Sequence, residues 1–212
     1  MRLYTGGNIL LAYGAKNVDL IIIVVVSESN RIMTDIEFLK YPIGKFKLPT
    51  HPTDETLKEA IETIQTLPNL LEEAVIALDD SKLDTPYRPG GWTVRQVVHH
   101  LADSHMNAYI RFKLALTEEN PQIKPYNEAA WASLPDSQLQ ILPSLEIVKC
   151  THFKWTFLLE NMSAKDFDRT YYHPENNNSP TLSEVTHLYS WHGIHHLAHI
   201  QHLALRNNWL TQ

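Results

Sequence analysis

Residues 181–207 read TLSEVTHLYSWHGIHHLAHIQHLALRN, and this stretch is typical of one long amphipathic helix. Thr181 is followed three residues later by Glu184, a capping-box pair that marks a helix N-terminus. Side chains three and four positions apart share a helix face, and here that face is apolar except for its histidines. Because such a face must be buried against other helices, the stretch predicts a helical bundle. The face carries Val185, Leu188, His192, His196, His199 and Leu203.

Three earlier segments show the same helical periodicity. They cover roughly residues 53–79, 93–116 and 143–161, and the second opens with another capping-box pair. Pro68 lies inside the first segment, where a kink or a split is expected. Residues 117–135 contain three prolines and form a long connection, of a kind that often covers a site. The sequence therefore predicts an all-α fold, a four-helix bundle with an up-down-up-down core and a long connection between its second and third helices.

The third segment has an apolar face that we expect to point into the bundle. On the helical period this inward face consists of Ile147, Cys150, Phe153, Phe157 and Leu158.

The first part of the chain differs in character from the rest. Residues 1–32 hold one apolar run, Leu20 to Val26, which is far shorter than the about 20 residues needed to cross a bilayer. Met33 begins a segment that reads like an ordinary protein start. We therefore expect residues 1–32 to be an atypical extension outside the core, residues 33–212 to be the helical domain, and no membrane to be a partner.

The composition excludes several classes of protein and points to metals. The net charge of −6 argues against a nucleic-acid binder, which needs a basic surface to meet phosphates. A single cysteine, Cys150, excludes a disulfide framework and a cysteine-rich zinc finger. Twelve histidines against seven glycines are unusual, and neutral imidazole is a common ligand of transition metals.

Two histidines of the last helix are the strongest metal-ligand candidates. His192 and His196 lie one turn apart on the apolar face, so their imidazoles could bind the same ion. The residue that follows the first histidine is Gly193, whereas the helical metalloprotease motif requires glutamate there as a general base. His195 and His199 form a competing pair, of which His195 lies toward the edge of the face. His187 and His202 are expected to be solvated.

A third ligand must come from another helix, and the second helix offers two candidates. His100 lies at the border of its apolar face and His105 lies inside it, so periodicity does not separate them. His99 is expected to point to solvent. Asp103, one turn from His100, could accept a hydrogen bond that orients an imidazole.

The stretch LDTPYRPGGWTVRQVVHHLADSHMNAYIRFKLALTEENPQIKPYNEAAW, residues 83–131, resembles the DinB-like superfamily and, more closely, its YfiT group of metal-dependent hydrolases. The segment YSWHGIHHLAHI, residues 189–200, is similar to the end of the same group. The resemblance implies a four-helix bundle with a three-histidine site for one divalent metal ion per subunit, zinc or nickel. It implies His100, His192 and His196 as the ligands, and it implies a cytoplasmic homodimer.

A three-histidine site leaves a coordination position for water, which is the arrangement of hydrolytic zinc enzymes. The expected function is therefore hydrolysis of an unidentified small molecule by a metal-bound water. The same open position could instead activate a low-molecular-weight thiol such as bacillithiol, as in some S-transferases of the wider superfamily. A third hypothesis is a non-catalytic, metal-bound binding module.

Overall fold

The computed structural model describes residues 36–50 and 52–209, and all regular secondary structure in these ranges is helical. Four long helices form the bundle, which confirms the all-α fold predicted from the sequence. A turn of 3₁₀ helix, Pro135–Gln138, precedes the third long helix. The α-helices are α1 (Ile36–Lys40), α2 (Asp54–Val75), α3 (Asp80–Leu83), α4 (Val94–Thr117), α5 (Glu128–Trp131), α6 (Leu142–Glu160), α7 (Ala164–Phe167) and α8 (Leu182–Arg206).

The four long helices do not follow one another around the bundle in chain order. Helix α2 packs against α6 and α8, and α4 packs against the same two helices, so α2 and α4 lie across the bundle from each other. The connection 118–141 joins two direct neighbours, α4 and α6. The connections 76–93 and 161–181 each join helices that are not direct neighbours.

The helix ends predicted by capping chemistry are confirmed. Thr93 and Gln96 exchange side-chain hydrogen bonds with each other's backbone N–H groups, at 3.0 and 3.1 Å, at the start of α4. Thr181 and Glu184 do the same at the start of α8, at 2.8 and 3.2 Å. These bonds satisfy backbone donors that have no partner inside the helix, so the two long helices begin at defined residues.

Pro68 does not split α2, which continues through it to Val75. Proline has no backbone N–H, so the carbonyl of Ile64, four residues earlier, lacks its usual helical donor. That carbonyl instead accepts a hydrogen bond from Nδ1 of His152 in α6, at 2.6 Å. The break in the helical hydrogen bonds is therefore filled by a side chain from a neighbouring helix.

The predicted inward face of α6 is wrong for four of its five residues, and only Leu158, which is half-buried, packs against the core. Phe153 is 77% exposed and Phe157 66% exposed, and Ile147 and Cys150 are exposed as well. Apolar residues lie all around this helix, so a second periodic set was available, and it is the one that packs. The buried face consists of Ser144, Leu145, Val148, His152, Trp155, Thr156 and Leu159.

The bundle core contains two apolar clusters with a layer of histidines between them. One cluster includes Leu71, Val98 and Ile200, and the other includes Phe112 and Trp155. Between the residues of the two clusters, along their helices, lie His105 of α4, His152 of α6, and His192, His195, His196 and His199 of α8. The bundle therefore holds these imidazoles between the two apolar clusters.

Gly193 of α8 lies directly against the side chain of Leu67 of α2. A Cβ at this position would lie 2.3 Å from Cδ2 and 3.3 Å from Cγ of Leu67, which is 1% exposed. We therefore expect Gly193→Ala to lower the free energy of unfolding of the metal-free protein, measured by urea titration. Overpacking a core costs about 1–3 kcal/mol, which outweighs the about 1 kcal/mol that alanine adds to helix propensity.

A double-mutant cycle with Leu67→Ala separates these two effects. Truncating Leu67 removes the clash, so in that background Gly193→Ala is expected to be neutral or stabilising. A stabilising effect of Gly193→Ala in the otherwise unchanged protein would contradict this account of the glycine.

The expected extension, residues 1–32, and Met33 lie outside the described residues. Among the residues that are described, none of the helices combines the length and the apolar character that a membrane span requires.

Candidate metal centre

Three imidazoles from two helices converge in the middle of the bundle. His100 comes from α4, and His192 and His196 come from successive turns of α8. One ring nitrogen of each lies within 4.8 Å of the others, and the two Nε2 atoms of His100 and His192 are 3.3 Å apart. The structure thus brings together the three residues singled out by the sequence.

The three rings are largely shielded from solvent. His100 and His196 are buried and His192 is half-buried. Trp92, next to the N-cap of α4, packs over His100 and His196, and its ring centroid lies 4.6 Å from that of His100 and 6.2 Å from that of His196. The apolar cover excludes water from this side of the cluster.

Burial keeps the three rings neutral. Loss of solvation lowers the pKa of His100 to about 4 and lowers the pKa of His192 and of His196 well below the ordinary value. A neutral imidazole has one nitrogen with a free lone pair, which is the form that binds a metal. The cluster is therefore held in its ligand form at neutral pH.

The spacing of the nitrogens fits a shared cation. Two nitrogens bound to one tetrahedral zinc ion at about 2.1 Å lie about 3.4 Å apart, close to the 3.3 Å between the Nε2 atoms of His100 and His192. Two lone pairs at this distance repel each other unless a proton or a cation lies between them. Imidazole ligands suit zinc, nickel, copper and iron. The residues present therefore fit a divalent transition metal.

Helical periodicity did not choose between His100 and His105, but the two residues have different places in the structure. His100 belongs to the three-ring cluster, whereas His105 lies behind it and hydrogen-bonds to Nδ1 of His192 through its own Nε2, at 3.1 Å. His105 is completely buried. His105 therefore contacts His192 from the side that faces the core.

The competing pair on α8, His195 and His199, packs beside His196, with ring centroids 5.2 and 5.5 Å from its ring, but neither residue belongs to the group of three whose nitrogens converge. His199 stacks on Tyr87 with ring centroids 3.9 Å apart, and its Nε2 bonds to the carbonyl of Lys40 at 3.1 Å. His195 stacks on Trp191 at 4.5 Å. Both residues are buried, and within the described part of the chain Nδ1 of each ring has no hydrogen-bond partner.

Two histidines that the sequence assigned to solvent are in fact buried, and a third is half-buried. His99 contacts the hydroxyl of Ser144 at 2.7 Å and the carbonyl of Leu139 at 3.1 Å. His187 contacts the carbonyl of Ser183 at 2.8 Å and the hydroxyl of Thr56 at 3.3 Å. His202 is half-buried. The helical wheel misplaced these residues because it cannot show the polar partners that neighbouring segments supply.

His152 was missed by the sequence analysis. It is 1% exposed, and its Nε2 lies 2.8 Å from Nδ1 of His105. It was missed because α6 was assigned the wrong inward face. The signal that could have found it is Pro68, which leaves a helical carbonyl in need of a donor.

Asp103 was expected to orient an imidazole, and the structure does not support this. Among the described residues, its hydrogen bond is through the backbone carbonyl, which accepts from the Asn107 amide at 2.9 Å. Burial raises the pKa of its carboxyl, and Asp136 adds to the effect. Orientation of the cluster therefore comes from other groups.

Comparison with known proteins gives a consistent result. The sequence profile of the DinB superfamily matches residues 63–200. A protein of Bacillus cereus (strain 03BB102) named "Putative metal-dependent hydrolase" is 52% identical over 171 residues, which are 81% of this chain and 98% of the relative. A protein of Oceanobacillus iheyensis bearing the same description is 52% identical over 170 residues, 80% of this chain and 98% of that protein.

Two solved structures share the fold. YfiT from Bacillus subtilis, described as a probable metal-dependent hydrolase with an unusual four-helix bundle topology, is 48% identical with a TM-score of 0.79. The match covers 82% of this chain and 99% of YfiT. A mycothiol-dependent maleylpyruvate isomerase is 14% identical with a TM-score of 0.51, over 66% of this chain and 60% of its own, and is similar in fold alone.

Proposed function

The chain belongs to the DinB superfamily, and from this premise we propose that it is a divalent-metal-dependent hydrolase of a small substrate. The proposed ligands of one ion per subunit are His100, His192 and His196. The observation that carries the proposal is the convergence of three ring nitrogens within 4.8 Å in a largely buried setting. When bound, a zinc ion with three protein ligands supplies Lewis acidity and lowers the pKa of a water to about 7.

The residues of this chain position the proposed ligands and keep water away from one side of the cluster. The helical period places His192 and His196 on successive turns of one rigid helix, so their separation does not depend on a loop. Trp92 shields the buried side of the cluster, and the half-buried His192 marks the side open to a small molecule. The side chain of Gln96 donates a hydrogen bond to the carbonyl of Ala132 at 2.8 Å, which ties the connection 118–141 to α4.

The test of this proposal is a substrate panel run on the full chain loaded with zinc, and then with nickel. Esters, amides and phosphoesters of small molecules are offered, and release of product is followed at neutral pH. We expect hydrolysis of at least one class, its loss on dialysis against a chelator, and its return when the metal is restored. The His196→Ala variant serves as the inactive control.

Two results would overturn the proposal. Consumption of a low-molecular-weight thiol in the presence of an electrophile, without hydrolysis of any substrate, would point to an S-transferase. A chain that binds one equivalent of metal and remains inactive in every assay would point to a binding module.

A homodimer is the proposed assembly, and the outer face of α6 supports it. Phe153 and Phe157 are 77% and 66% exposed, and Ile110 of the adjacent α4 is 49% exposed. A second copy of the chain, related by a two-fold axis, would cover these apolar side chains on both subunits. We expect Phe153→Asp to convert a dimer into a monomer in light scattering, whereas Ile76→Asp, at an exposed apolar residue beyond the end of α2, leaves the dimer intact. A monomeric unaltered chain would contradict the proposal.

A further inference from the structure

A row of three imidazoles leads from the backbone of α2 to the metal cluster. Nδ1 of His152 lies 2.6 Å from the carbonyl oxygen of Ile64. Nε2 of His152 lies 2.8 Å from Nδ1 of His105, and Nε2 of His105 lies 3.1 Å from Nδ1 of His192. Every contact in the row is within hydrogen-bond distance. The row crosses the bundle from α2 through α6 and α4 to α8.

The carbonyl at one end decides the direction of every hydrogen bond in the row. A carbonyl oxygen only accepts, so Nδ1 of His152 carries the proton and its Nε2 has the lone pair. His105 must then donate from Nδ1 to His152, which leaves Nε2 of His105 as the acceptor for Nδ1–H of His192. Three neutral rings supply three N–H groups for three hydrogen bonds. The nitrogen left with a free lone pair is Nε2 of His192, which faces His100.

Pro68 explains why the Ile64 carbonyl can serve as this terminal acceptor. In an uninterrupted α-helix that carbonyl would accept from the backbone N–H four residues later, but residue 68 is a proline and has none. The buried carbonyl therefore needs a donor from outside its own helix, and His152 supplies it. Pro68 thus leaves the carbonyl of Ile64 without a helical donor, and the row of imidazoles begins at this carbonyl.

Packing holds the rings of the row in their planes. His105 is 0% exposed and His152 is 1% exposed, and their rings stack with an interplanar angle of 12° and centroids 4.8 Å apart. The edge of Trp155 meets both rings at 6.0 Å, and Tyr189 meets His105 edge-on at 5.2 Å. Rings enclosed in this way cannot turn over without disturbing the core.

We propose that His105 and His152 are positioning residues of the metal centre, which set the tautomer and the ring orientation of His192 by a hydrogen-bonded row that ends at the carbonyl of Ile64. The inference rests on the proposed function, because it takes His192 as a metal ligand. A ligand histidine commonly donates its second N–H to a carboxylate or a carbonyl. In this protein the carbonyl acts through two intervening imidazoles.

The row of imidazoles reaches the cluster at His192. Nδ1 of His196 is buried and, within the described part of the chain, has no hydrogen-bond partner. His105 therefore holds the ring of His192 through Nδ1, and the free Nε2 of His192 faces His100. Loss of the row should weaken metal binding without removing any ligand.

The tautomers are read directly by long-range ¹H–¹⁵N correlation NMR of the full chain with ¹⁵N-labelled histidine. Spectra are taken at neutral pH, metal-free and with zinc. We expect His105, His152 and His192 to be neutral and protonated at Nδ1, with signals assigned by single substitutions. A proton on Nε2 of His105 or of His152 reverses the row and overturns the proposal, whatever the protein catalyses.

Variants of His105 test the consequence for binding, with zinc as the probe and a competing chromogenic chelator as the readout. His105→Leu removes the acceptor for His192 and is expected to raise the zinc dissociation constant about 10- to 100-fold. His105→Gln keeps an acceptor oxygen and is expected to stay within a few-fold of the unaltered chain. The matched control is His187→Leu, which removes another buried histidine, on α8 itself, and is expected to leave zinc affinity unchanged.

The outcomes separate this proposal from the proposed function. Unchanged zinc affinity in a folded His105→Leu variant overturns the positioning role even if the enzyme hydrolyses its substrates. Weakened affinity in that variant, with the Nδ1 tautomers observed, supports the positioning role even if every hydrolysis assay is negative. If His105→Leu does not fold, the NMR spectra of the unaltered chain still decide the direction of the row.

Discussion

Replacing His100, His192 and His196 together by alanine is expected to abolish stoichiometric zinc binding while the helical content stays close to that of the unaltered chain. The expectation follows from the cluster, in which one nitrogen of each ring lies within 4.8 Å of the others. Alanine offers no lone pair, so none of the three ring nitrogens of the cluster remains. The chain keeps the side-chain caps of α4 and α8 and both apolar clusters, so the bundle should still form.

The measurement is elemental analysis of purified protein after dialysis against zinc, with circular dichroism to check helicity. The matched control is the triple variant His99→Ala, His187→Ala, His202→Ala, which also removes one histidine from α4 and two from α8. We expect this control to retain one zinc per chain. A ligand triple variant that still carries a full equivalent of zinc would show that the ligands lie elsewhere.

The metal-free protein is expected to lose stability steeply as the pH falls from about 6.5 to about 4. Burial lowers the pKa of His152 from the ordinary 6.5 to about 4, against a smaller opposing effect of its hydrogen bond to Ile64. Between these two values the unfolded chain binds a proton at this residue and the folded chain does not, so protons favour unfolding. Above about 6.5 both states are neutral, and this group has no effect on the pH dependence. The contribution of this one ring is of the order of 3 kcal/mol.

Urea unfolding at a series of pH values, with a chelator present throughout, measures this loss. Comparison with His152→Phe isolates the single residue, because phenylalanine fills similar space and does not titrate. We expect the variant to be less stable at pH 7, where it leaves the Ile64 carbonyl and His105 without their partner. Its further loss between pH 7 and pH 4 should be smaller than that of the unaltered chain by about 3 kcal/mol. Parallel curves for the two proteins would refute the role assigned to His152.

Local signals in the sequence predicted the four long helices and two of the three rings of the cluster. The pairs Thr93 with Gln96 and Thr181 with Glu184 identified where α4 and α8 begin, because capping involves residues three apart in the chain. The spacing of His192 and His196 showed that their rings share a face, because the helical period alone sets that geometry. These properties depend on residues within a turn or two of one another.

Features that depend on contacts between distant segments were predicted poorly from the sequence. The face of α6 was assigned incorrectly, since an apolar residue such as Phe153 fits the inward period although it lies at the surface. His99 and His187 were assigned to solvent, since their partners lie in distant segments. Periodicity left His100 and His105 even, and resemblance to a known family was needed to choose between them. In each case the missing information was the identity of the neighbouring helix.

The amino-acid sequence by itself determined the four long helices, the capped starts of α4 and α8 and the pair of imidazoles on α8, since hydrogen bonds and side-chain spacing within one helix specify them. Helical periodicity could not choose between His100 and His105, whereas the tertiary structure brings the ring of His100 to that pair and places His105 behind it. Only the packing of α6 against α2 and α4 connected His152 to the carbonyl that Pro68 leaves free. The physical reason is that the helical period relates residues of one helix, whereas contacts between helices depend on which faces are buried together.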